Sequence, residues 1–72
     1  MTFGEKLKQL RQDHDLTQEQ LGKVLETTQR KISYLETGKN EPNLDDLKRF
    51  CTFFRVSADY FLGLPYDFKR PN

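Results

Sequence analysis

Gln29, Arg30, Lys31, Ser33 and Tyr34 crowd hydrogen-bonding side chains of long reach into the segment QRKISYLE. Each type suits the edge of a base pair. Glutamine can make paired bonds to adenine N6 and N7, arginine can do so to guanine O6 and N7, and tyrosine can lay its ring on a thymine methyl while its hydroxyl finds a phosphate. The chemistry implied is recognition of duplex DNA by a helix that presents this run. The plain alternative is a solvated helix face, which is polar for no further reason.

The elements that must position these side chains are two short helices and a tight turn. Ile32 and Leu35 supply a three-residue apolar period that turns the polar run outward, behind a hydroxyl cap at Thr27 or Thr28. A preceding helix opens at Thr17, whose hydroxyl can accept from the first turn, with Gln20 three places on completing a capping box. Leu21, Val24 and Leu25 follow at helical spacing, and Glu26-Thr27-Thr28 interrupts. Helices joined this closely cross at a steep angle, and the N-terminal half of the second is the part that meets base edges in a major groove.

The rest of the chain reads as three further helices. The first runs from Thr2 or Phe3 to Asp13, with Phe3, Leu7 and Leu10 on one side and Lys6, Lys8, Gln9 and Gln12 on the other. Residues 37–43 form a loop in which Gly38 can take a left-handed conformation and Pro42 bars continuation. Asn43 caps a fourth helix, with Asp45 and Asp46 in its first turn and Leu44, Leu47, Phe50, Cys51 and Phe54 on its apolar face. Ser57 caps a short fifth, Ala58–Leu62, stopped by Gly63 and Pro65. No strand pattern or internal repeat appears, so the expected fold is all-α and five-helical. Residues 1–64 form the expected domain and residues 65–72 a tail, which packs locally through Tyr66 and Phe68 or hangs free.

At 72 residues the chain has room for one domain and none for a deep active site. A domain of this size buries about 60% of its unfolded surface, and its expected stability is roughly 4 to 11 kcal/mol. Apolar residues make up 35% and charged residues 32%, which suits a soluble globular protein. No segment approaches the roughly 18 apolar residues that cross a bilayer. Met1 to Leu10 already follows a helical stripe with charges inside it, which excludes a signal peptide there. A single cysteine forms no internal disulfide, which points to a reducing, cytoplasmic compartment. Net charge is only +1, so the placement of Arg30, Lys31 and Lys39 matters more than the sum.

Three stretches, LKQLRQDHDLTQEQL, TTQRKISYLETGKNEPNLDDL and VSADYFLGL, carry a more specific signal together than any does alone. Across Phe3 to Leu64 the chain resembles the lambda-repressor-like helix-turn-helix domains of the Cro/C1 (Xre) type, the group that includes phage repressors. The resemblance implies that helices two and three form the motif and that the partner is a double-stranded DNA operator. It implies that Gln18 bonds a phosphate and braces the first residues of the recognition helix. Gln29, Arg30 and Tyr34 would read bases, with Lys31 at the border of that set. Thr28, Lys39 and the backbone near Asn40 would hold the sugar-phosphate chain, fixing register without reading sequence. It further implies that Arg11 pairs with Glu36 and locks the recognition helix to helix one; spacing alone reads both as surface charges.

The chain departs from the family pattern at three helix ends, where Asp15, Glu26 and Arg55 stand in place of the usual glycine. A left-handed conformation costs a residue with a Cβ about 1 to 2 kcal/mol. Gly22 replaces the usual small alanine where helices two and three approach, which fits sterically.

Other chemistry finds little footing. His14 ends the Phe3, Leu7, Leu10 stripe, where partial packing and the helix C-terminus account for it. Cys51 reads as a small buried hydrophobe rather than a nucleophile, and one His with one Cys makes no zinc site. Asp45 and Asp46 diverge along a helix and serve its dipole. Phe53, Tyr60, Tyr66 and Phe68 exceed what one small core absorbs, so the C-terminal region either makes a twofold homodimer contact or wraps over helices one and four. The expected function is a sequence-specific transcriptional regulator, a repressor, with no metal, no cofactor, no membrane and no enzymatic activity. Its rivals are a DNA-binding antitoxin with a toxin partner and a protein-interaction module that has lost DNA binding.

Overall fold

A computed structural model describes residues 1–62 and places five helices: α1 (Phe3–Asp13), α2 (Gln18–Val24), α3 (Gln29–Thr37), α4 (Leu44–Phe54) and α5 (Ala58–Leu62). No strand occurs among the described residues. The expected stop at Gly63 and Pro65, the boundary at residue 64 and the tail with Tyr66 and Phe68 lie outside them.

All five helices begin on a side chain that accepts from the amide three residues on, at Thr2, Thr17, Thr28, Asn43 and Ser57. Thr28, rather than Thr27, caps α3, its Oγ1 accepting from Lys31 N at 3.1 Å. Thr2 with Glu5, Thr17 with Gln20 and Asn43 with Asp46 form reciprocal capping boxes. The Thr2 N–H, donated to Glu5 at 2.8 Å, holds that carboxyl below its ordinary 4.5. The small stabilisation from this cap is complete above that ordinary value and fades as pH falls through the lowered one.

The helix ends are where the sequence departs from easy geometry. Asp15, Glu26 and Arg55 adopt φ values of 56°, 56° and 58°, so each takes the left-handed conformation that glycine takes without strain. The residue after each closes the same motif, with Leu16 N donating to Arg11 O, Thr27 N to Gly22 O and Val56 N to Cys51 O. α3, by contrast, ends on a glycine, Gly38 at φ 82°. The strain of about 1 to 2 kcal/mol at Glu26, less the roughly 0.5 to 1 kcal/mol that glycine loses through its looser unfolded state, sets the expected effect of Glu26→Gly. The variant gains about 0.5 to 1 kcal/mol, or roughly 2 to 8 °C in Tm by circular dichroism. An unchanged or lower Tm would contradict strain at this turn.

The core is Leu7 of α1, Leu21 and Leu25 beside the turn, Ile32 and Leu35 of α3, Phe50 and Phe54 of α4, and Phe61 of α5. Cys51 packs partly buried against it, and burial pushes its thiol up, which keeps it protonated. His14 is exposed, yet its ring lies edge-on 5.0 Å from Phe54 and its Nδ1 donates to Leu10 O at 2.9 Å. Two residues of the expected stripes are not in the core: Val24 is 49% and Leu44 83% exposed. Leu21 and Leu25 already span the buried side of the short α2, and Leu44 stands at the first position of α4, a turn before the face that meets the core at Leu47.

Two polar ties that spacing does not reveal hold the outer helices. Arg49 Nη1 donates to Leu25 O at 2.9 Å, which satisfies a carbonyl left open at the end of α2. Lys6 Nζ donates to Tyr60 O at 2.7 Å and lies 5.4 Å from the centre of the Tyr60 ring, fastening α5 to α1.

Candidate nucleic-acid interface

Ile32, Leu35 and Glu36 are the buried residues of α3, and this fixes what the helix shows outward. Gln29 and Arg30 are exposed, Ser33 and Tyr34 half-buried at the margin, and Thr28, Lys39 and Asn40 exposed at the two ends. The start of α3 is drawn tightly against α2 at Gly22. A Cβ there would lie 3.0 Å from the Thr28 carbonyl carbon and 3.2 Å from Gln29 N, so glycine is the residue that fits without the neighbouring backbone giving way.

The far end of α3 is fixed by a buried polar cluster. Arg11 donates through Nε to Glu36 Oε2 at 2.6 Å and through Nη2 to Oε1 at 3.1 Å, while its Nη1 donates to Leu16 O at 2.8 Å. The paired side chains are 11% and 2% exposed, so the bidentate bond is shielded from water and holds α1 to α3. Gln18 Nε2 also donates to Glu36 Oε1, at 3.1 Å. Gln18 was expected to brace the first residues of α3. Its hydrogen bond instead goes to the end of the helix, although its side chain lines one surface recess with Gln29.

Lys31 is placed differently from its neighbours. Its Nζ lies 2.9 Å from Asp46 Oδ1, and the other carboxylate oxygen of Asp46 accepts from Asn43 N at 3.1 Å. Lys31 therefore sits against α4, paired within the protein, rather than beside Arg30. Asp46, expected only to serve the helix dipole, ties the cap of α4 to α3. No spacing rule could expose this contact, since it joins two separate helices. Asn40 N donates to Tyr34 O at 3.2 Å, so that amide is spent inside the turn, and Lys39 Nζ lies 5.2 Å from the centre of the Tyr34 ring. Among the described residues no three of His, Cys, Asp or Glu gather where they could hold a metal ion.

Two helices meeting across a turn of four residues, the second presenting exposed polar side chains and anchored at both ends, are the parts of one known motif. Residues 2–60 match a family model described as a helix-turn-helix domain. The chain belongs to the helix-turn-helix family. Both the lambda-repressor-like resemblance and the all-α, five-helix fold expected from the sequence stand. Among curated relatives, the HTH-type transcriptional activator BcrR of Enterococcus faecalis is 47% identical over 63 residues, 88% of this chain and 31% of that protein. The HTH-type regulator YobD of Bacillus subtilis is 36% identical over 65 residues, 90% of this chain and 58% of that one. The chain thus spans less than a third of the first of these relatives and under three fifths of the second. Among solved structures, the P22 c2 repressor in complex with a synthetic operator superposes with a TM-score of 0.79 at 28% identity, covering 85% of this chain and 92% of the repressor. A transcriptional regulator from Listeria innocua superposes at 0.82 with 27% identity, covering 97% and 65%.

Proposed function

We propose that this chain is a sequence-specific, double-stranded DNA-binding transcriptional regulator that lays α3 in a major groove. The observation that carries this is the division of α3: Ile32, Leu35 and Glu36 are spent on the core and on Arg11, which leaves Gln29, Arg30 and Tyr34 for base edges. A helix-turn-helix repressor of the same fold crystallised on an operator supports it. Thr28, Gln18 and Lys39 flank the proposed reading face and would meet phosphates, with Asn40 contributing through its exposed side chain, since its amide is bonded to Tyr34 O. Lys31 contributes after breaking from Asp46, and so less than Arg30. Binding over a promoter would make the chain a repressor; binding upstream would serve activation, the role given in the name of BcrR.

A homodimer through the C-terminal region would set two recognition helices on half-sites about 34 Å apart. Supporting it, Leu62 is 59% exposed and lines one surface recess with Met1 and Leu44, at 76% and 83%, and Tyr60 is 41% exposed. The same apolar surface could instead receive a toxin, but none of these relatives is described as an antitoxin, and regulation of transcription is the better supported reading. The activity is binding rather than catalysis. A cytoplasmic location rests on the single cysteine; no helix among the described residues is long and apolar enough to cross a membrane.

Arg30→Ala tests direct readout. The variant is expected to lose about 1 to 3 kcal/mol of affinity for the preferred sequence and to relax preference at one base pair, measured by competition binding. An equal loss on every sequence would count against base reading by Arg30.

A further inference from the structure

Gly38 turns the chain back on itself at φ 82°, with nothing within 4 Å of where its Cβ would stand, so the left-handed backbone alone explains a glycine there. The reversal carries Lys39 over the residue five places earlier, and its Nζ lies 5.2 Å from the centre of the Tyr34 ring. The backbone of the same two segments is stitched together as well. Asn40 N donates to Tyr34 O at 3.2 Å, and Thr37 Oγ1 donates to Ser33 O at 2.9 Å, with Tyr34 O at 3.4 Å. Tyr34 is thus the one member of the proposed reading set whose ring is held by a neighbouring charge.

An ammonium over an aromatic face is attracted by the ring quadrupole, and it denies the ring the space it occupies. Lysine also keeps three donors for a phosphate. We infer that Lys39 is a positioning residue for Tyr34: the phosphate contact made by Lys39 and the base contact made by Tyr34 are one coupled unit, so Lys39 tunes sequence preference and does not act on the backbone alone. Resting on the DNA-binding reading above, this assigns Lys39 an effect that a free surface lysine could not have. Loss of such a lysine would weaken binding to all sequences alike and only flatten the salt dependence.

The test is competition binding of the full chain against a panel of duplexes that vary one base pair at a time, with Lys39→Ala, Lys39→Arg, Tyr34→Ala and the Lys39→Ala/Tyr34→Ala double variant. Lys39→Ala is expected to reduce discrimination about two- to fivefold, the range of an exposed cation–ring contact, at the base pair where Tyr34→Ala reduces it. Lys39→Arg, which keeps both charge and ring contact, retains the preference. The double variant discriminates no worse at that base pair than Tyr34→Ala. A Lys39→Ala variant that loses affinity equally on every duplex, or loses preference at a base pair Tyr34 does not affect, would overturn the coupling. A native chain that prefers no duplex would overturn it together with the DNA-binding reading, and that result is distinct because it needs no variant.

Discussion

Arg11→Met is expected to destabilise the fold by about 3 to 5 kcal/mol, the usual cost of removing one partner of a buried ion pair. Against a total of roughly 4 to 11 kcal/mol for a chain of this length, this removes from about a quarter of the stability to all of it. The variant leaves the Glu36 carboxylate, 2% exposed, with the Gln18 amide as its remaining side-chain donor, and it leaves Leu16 O without the Arg11 Nη1 bond. Arg11→Met/Glu36→Met removes the stranded charge and restores part of the loss, since an apolar pair of similar volume often replaces a buried ion pair at little cost. Urea denaturation of the native chain and both variants reads this directly. A loss below about 1 kcal/mol in the single variant, the scale of a surface pair, would show that the pair is solvated and does not hold α3.

Gly4→Ala carries the second large effect, for a reason no residue near the reading face suggests. A Cβ at Gly4 would lie 2.3 Å from Glu36 O and 2.6 Å from Leu35 O. Both are backbone atoms of the recognition helix and cannot rotate away, so α1 must lift off α3. The expected cost is about 1 to 3 kcal/mol from overpacking, against the roughly 1 kcal/mol by which alanine is the better helix former. Because the movement separates Arg11 from Glu36, DNA affinity should fall with stability. A Gly4→Ala chain that melts higher than the native protein would mean that propensity outweighs contact and that α1 is not seated closely on α3.

The five helices were legible because they are local. Thr17 with Gln20 and Asn43 with Asp46 are capping boxes within four residues, and each box starts a helix where it was expected. The left-handed ends at Asp15, Glu26 and Arg55 were legible only through resemblance, since nothing in an aspartate, glutamate or arginine announces a positive φ. What stayed hidden joins separate helices. Lys31 looked like a neighbour of Arg30 along the chain, but its partner Asp46 stands on α4. Arg49, which closes the end of α2, and Gly4, which admits α3 against α1, gave no periodic signal. A glycine inside a helical stripe reads as weak propensity until the backbone that approaches it is in place.

Selection of bound sequences from a random duplex library at near-physiological salt, run beside a Gln29→Ala/Arg30→Ala variant, tests reading by α3 most directly. Enrichment of one sequence by the native chain, arranged as an inverted repeat with half-sites about one helical turn apart and lost by the variant, is the predicted result. An unenriched library, or the same sequence enriched by both proteins, would contradict reading by α3.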